Sequence, residues 1–142
     1  MTSLRRVALP ALTVAATLLL ASCADDTAVD RDDLENETFV STSVTGRDLV
    51  AGSSIQLTFD GDTLAIKAGC NTMSSKWELK DGKLAWSGVP MQTKMACEQE
   101  LMDQDAWLVE LFTEGLTASD PEGNVDLVLE AGDVRIELDE KD

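Results

Sequence analysis

The chain has 142 residues, 27 acids against 11 lysines and arginines, no histidine, and a formal net charge of −16 at pH 7. Such a balance repels phosphate, which disfavours direct DNA or RNA binding. The absence of histidine removes the base that a Ser-His-Asp triad or a nucleophilic cysteine ordinarily uses.

The N-terminus reads as an address. Arg5 and Arg6 precede an apolar run, Val7 to Leu20, of about 14 residues, shorter than the roughly 20 a membrane-spanning helix needs. The run ends in Leu20-Ala21-Ser22-Cys23, which looks like a bacterial lipobox. On that reading residues 1–22 are a lipoprotein signal peptide. Cys23 becomes the lipidated N-terminus, and acyl chains hold the protein at the membrane, each buried CH₂ contributing about 0.8 kcal/mol. The competing reading is an ordinary secretory signal cut near Ala21. Both place the protein outside the cytoplasm. Removing Arg5 and Arg6 makes the remainder still more acidic, so the acyl group and not the protein surface is expected to make the membrane contact.

Residues 24–37 carry seven acids against Arg31, too few apolar groups to offset the entropy of ordering. They are read, with Cys23, as an acidic disordered tether (23–37). Asp30, Asp32 and Asp33 lack the glycine turn and closing glutamate of a calcium loop.

From residue 38 to 142 one domain is expected. A first strand lies near Phe39–Val44. Three hairpins follow, each marked by period-two alternation around a glycine turn. Ile55, Leu57 and Phe59 flank Asp60-Gly61 with Leu64 and Ile66. Trp77 and Leu79 flank Asp81-Gly82 with Leu84 and Trp86. Val125, Leu127 and Leu129 flank Ala131-Gly132-Asp133 with Val134, Ile136 and Leu138. Between the second and third hairpins the period lengthens, and Leu101, Leu108, Leu111 and Phe112 share one helical face. Glu98 and Glu100 suit the first turn and Gly115 the C-terminus. The expected fold is α+β: a mostly antiparallel sheet of about seven strands with one packed amphipathic helix. Asp105, near the edge of the apolar face, reads as an acid reaching solvent, with pairing to the sheet as the alternative.

With Cys23 assigned to lipid, Cys70 and Cys97 remain. An even pair in an oxidising compartment reads as a disulfide joining the helix entry to the sheet. A copper(I) site from Cys70, Cys97, Met73, Met91 and Met95 is the alternative. Zinc normally takes four Cys or His ligands, which the chain lacks. A Ser74 or Ser75 partnership with Lys76 is disfavoured, because neighbours on a strand face opposite ways. Asn71 reads as a turn residue stabilised through its own side chain. Thr93 is read first as structural, with a surface site shared with Lys94 as the alternative.

Gly69-Cys70-Asn71, Trp77, Thr93-Lys94-Met95-Ala96-Cys97 and the Met102-to-Asp105 part of the helix together resemble the META domain family (HslJ-like). The likeness runs from about Phe39 to Leu138. Ser74 and Ser75 stand where the family often has a glycine, Phe39 where an early tryptophan is common, and Asp105 where the helix usually has Glu. The resemblance implies a compact α+β domain without catalytic residues or cofactor. It marks Gly69, Asn71, Thr93, Met95 and Asp105 as motif positions of unknown role. It also implies a lipid-anchored, non-enzymatic envelope protein concerned with stress tolerance or integrity. The acidic surface supports an alternative, a module binding a small ligand or a basic secreted protein.

Overall fold

The computed structural model describes residues 28–121 and 123–142. Cys23 and the signal sequence lie outside them. The elements in chain order are α1 (Arg31–Leu34), β1 (Thr38–Thr45), β2 (Gln56–Asp60), β3 (Thr63–Lys67), β4 (Thr72–Lys80), β5 (Lys83–Trp86), β6 (Met91–Gln92), α2 (Gln99–Glu114), β7 (Leu116–Ser119), β8 (Leu127–Ala131) and β9 (Val134–Glu140).

The three hairpins form where the glycine turns place them. Asp60 pairs with Thr63, Lys80 with Lys83 and Ala131 with Val134, leaving two-residue loops. Asp81 and Gly82 both take positive φ, 52° and 73°, the twist that matches a two-residue hairpin to its strands.

The expected antiparallel sheet of about seven strands is a closed ring of eight. Each strand pairs antiparallel with the next, β3 with β4 and β9 back with β1, so eight strands close into a barrel. The short β6 lies outside the ring, paired to β4 at Met73 and Ser74. β6 is missing from the sequence reading, and so is one barrel strand, β7. Its four residues, Leu-Thr-Ala-Ser, directly follow the helix and carry no turn signal, yet β7 joins β5 to β8. Without it both would be unpaired edges, which closure removes.

Alternation along the strands fills the interior. Phe39, Phe59 and Trp77 pack edge to face, with centroids 6.0 and 4.9 Å apart, a favoured aromatic geometry. Trp77 and Trp86 are cross-strand partners. Both indoles donate to backbone carbonyls, Trp77 to Gly61 O at 2.9 Å and Trp86 to Leu64 O at 3.2 Å, so neither polar group is left unpaired.

The two ends of the barrel are closed differently. α2 covers one, burying Leu108, Leu111 and Phe112, while its Trp107 stacks under Arg47 from the β1–β2 loop, 4.6 Å away. The other end is closed by residues read as a disordered tether, and for residues 28–37 that reading is corrected. Ala28 bridges to Ser119, and Val29 and Leu34 join the core. Asp33 accepts from Asp30 N at 2.8 Å, capping the single turn of α1. Arg31 lies 4.1 Å from the Trp77 ring centroid and donates to Asp62 at 3.1 Å. Two apolar side chains suffice because the barrel end offers them a preformed hole, and averaged composition does not register that.

Candidate functional site

The family-motif positions converge where α2 meets the start of β4. Gly69, in the connection from β3 to β4, has φ 125°, a region L side chains rarely adopt. A Cβ there would sit 2.8 Å from Leu101 Cδ2 on α2, so the glycine permits close approach of helix and strand connection. Next to it Cys70 and Cys97 are bonded, with Cα atoms 6.0 Å apart. Their separation of 27 residues corresponds to about 3–4 kcal/mol of stabilisation on the chain-entropy account.

Asn71 has a different role from the one expected of it. Among the described residues only Asn36 and Asp81 combine a side chain with positive φ, so Asn71 is not a left-handed turn residue. It is a junction. Its backbone N and Nδ2 donate to Asp105 Oδ2, at 2.9 and 3.2 Å. Its Oδ1 accepts from Thr93 Oγ1 at 3.0 Å and from Met95 N at 2.8 Å. Thr93 Oγ1 in turn accepts from Thr72 N at 3.1 Å, while Thr93 N donates to Thr72 O at 3.0 Å. One amide therefore connects strand, helix and the 93–97 segment, which explains why these residue types occur together.

Asp105 does not reach solvent. It is 3% exposed, the pairing alternative rather than the edge acid. Charge-assisted bonds to Asn71 hold its Oδ2, whereas its Oδ1 is buried with no hydrogen-bond partner.

Gln104, buried one position earlier, was missed by sequence reasoning. Its Nε2 donates to Ala68 O at 2.6 Å and to Ser53 Oγ at 3.0 Å, and its Oε1 accepts from Val50 N at 2.7 Å. It ties the helix to both loops at that end and meets backbone groups that the strands leave unpaired. Its place beside Leu108 on the inner helical face was the available signal.

The five sulfurs of the copper alternative are not assembled. Cys70 and Cys97 are bonded to each other, Met73 lies in the core, and Met91 and Met95 are exposed. Among the described residues no group of three or more Cys, Asp or Glu is arranged to hold a metal, and no helix is long and apolar enough to cross a membrane.

The META domain family model matches residues 32–142. The chain is 30% identical over 105 residues to "Heat shock protein HslJ" of Escherichia coli (strain K12), covering 72% of this chain and 75% of that one. Among solved structures, an NMR structure of a protein from Burkholderia xenovorans superposes with a TM-score of 0.61 at 21% identity, over 78% of this chain and 85% of that one. A second NMR structure gives 0.59 at 24% identity, over 78% and 94%. At those identities the two structures speak to the fold alone.

Proposed function

The chain belongs to the META domain family, and from that premise we propose a lipid-anchored, non-enzymatic envelope protein that supports envelope integrity under stress. The observation that carries this reading is the Cys70–Cys97 crosslink, since persistent disulfides belong to oxidising compartments. The run of Arg5, Arg6, the apolar stretch and Leu20-Ala21-Ser22-Cys23 supplies the route there and the anchor. The stress role draws on the name of the E. coli relative, a heat shock protein. The barrel acts as a rigid body stapled at one end.

Cell fractionation with intact mass of the full chain tests the proposal. The expected product begins at Cys23, carries acyl mass and partitions with membranes. Cys23→Ser is expected to release the protein from the membrane and lose protection against heat or envelope damage. A cytoplasmic product with free Cys70 and Cys97 thiols would overturn it.

A second reading, a binding module for a small ligand or a basic secreted protein, is favoured by the charge of −16 and by a cavity that Asp105 lines. Capture of a basic partner at low salt, lost at high salt, is its signature.

A further inference from the structure

Between the Thr93–Ala96 segment and α2 lies an open cavity of about 490 Å³. Met95, Ala96, Met102 and Ala106 supply apolar wall, and Asn71 and Asp105 supply polar groups. Small-molecule sites have this composition and a volume of roughly 300–1,000 Å³. Apolar surface continues outward along the segment, where Met91 and Met95 are 73% and 61% exposed.

The polar side of the cavity is incomplete. Asp105 Oδ2 accepts from Asn71 N and Nδ2, and Oδ1 has no partner. A buried carboxylate oxygen without a donor carries an uncompensated desolvation cost. Asn71 has no further donor to offer, because its backbone N goes to Oδ2 and its Nδ2 is shared between Oδ2 and Cys70 Sγ, the latter at 3.3 Å. Lys94, the one cation lining the cavity, is itself exposed.

We infer that this cavity binds a small amphipathic cation, its primary ammonium or guanidinium head bonded to Asp105 Oδ1 and its apolar chain laid against Met95 and Met102. The inference rests on the binding-module reading and gives it a site. A charged donor on a carboxylate is the strong class of hydrogen bond. The acidic protein raises the local concentration of cations. Because Oδ1 is shielded, the cavity lining must shift on entry, and the unbranched Met95 and Met102 of that lining adapt readily.

Hexylammonium titrated into the ¹⁵N-labelled full chain, followed by amide chemical shifts, provides the test. Saturable shifts are expected at Asn71, Met95 and Ala106. Hexanol and hexanoate should bind at least about ten-fold more weakly, the equivalent of one charge-assisted bond. Asp105→Asn preserves an acceptor for Asn71 while removing the charge, and should lose affinity by a similar factor with the folded spectrum intact. Ala106→Trp fills the cavity from an exposed helix position and should abolish binding, which decides the matter if the asparagine variant does not fold. No saturable response in the parent, an equal response to hexanol, or parental affinity in either folded variant would overturn the site. Polylysine retained by a parent chain that ignores hexylammonium would remove this site but leave the binding module standing. A chain that retains neither loses both.

Discussion

The two ends of the barrel use opposite means. At the α2 end, the apolar face of Leu108, Leu111 and Phe112 is fixed by covalent and polar ties: a disulfide, a buried amide at Gln104, and the Asn71–Asp105 junction. At the α1 end, closure is an apolar plug, Val29 and Leu34, held down by Arg31. Beside the plug is a cleft of about 270 Å³ bordered by Asp33, Asp120, Asp126 and Glu140. The first end leaves one buried acceptor, Asp105 Oδ1, without a partner beside a cavity that Asp105 lines. The second sets carboxylates close together on the surface. Specific polar recognition belongs to the first, where low polarity strengthens each bond, and tolerance of change belongs to the second.

Removing the crosslink is the largest test of that contrast. The Cys70→Ser, Cys97→Ser double variant is expected to lose about 3–4 kcal/mol in urea unfolding. The amides of Asn71 and Met95 should exchange fastest, while those of residues 31–37 keep their relative protection. Equal loosening at both ends would show one cooperative unit and dissolve the contrast.

Leu34→Ala is the matching cut at the other end. Leu34 is 1% exposed, and truncating a fully buried leucine costs roughly 2–3 kcal/mol at a site able to relax partly. Urea unfolding gives the loss, and hydrogen exchange should place it at residues 28–37 and the Gly61–Asp62 turn. A loss near zero would restore these residues to the tether reading.

These same contrasts explain what was legible in the sequence. Hairpins and helix were readable because each has a local signal: period two around a glycine turn, or an apolar face repeating every 3.6 residues. The disulfide was readable by elimination once Cys23 had another use. Barrel closure was not, because it depends on β3 meeting β4 and on four unremarkable residues after the helix. Leu34 looked like one leucine among acids, and only the barrel end gives it a place. Asp105 and Asn71 carry polar side chains that periodicity assigns to the surface. Their burial depends on meeting across 34 positions of sequence, and no local pattern encodes that. The family motif marked these positions without disclosing their contacts.

The smallest effect concerns the acidic cleft, and its sign is informative. Glu37 across from Glu140 raises the Glu140 carboxyl above its ordinary value, through charge repulsion first and a shared hydrogen bond second, with Asp126 and Asp142 adding repulsion. A carboxyl raised by folding disfavours the folded state when ionised, so its contribution is best when protonated. Stability from this group is therefore complete below the unfolded value, and falls as pH rises through the raised folded one. Thermal unfolding of the parent against Glu140→Gln isolates it from the protein's general acidity. The variant should melt slightly higher at neutral pH, and the gap should close as pH falls through the carboxylate range and shrink with added salt. A variant that melts lower at neutral pH would mean the Glu37–Glu140 contact holds the β1–β9 seam together, and the α1 end would then rest on polar contacts as the α2 end does.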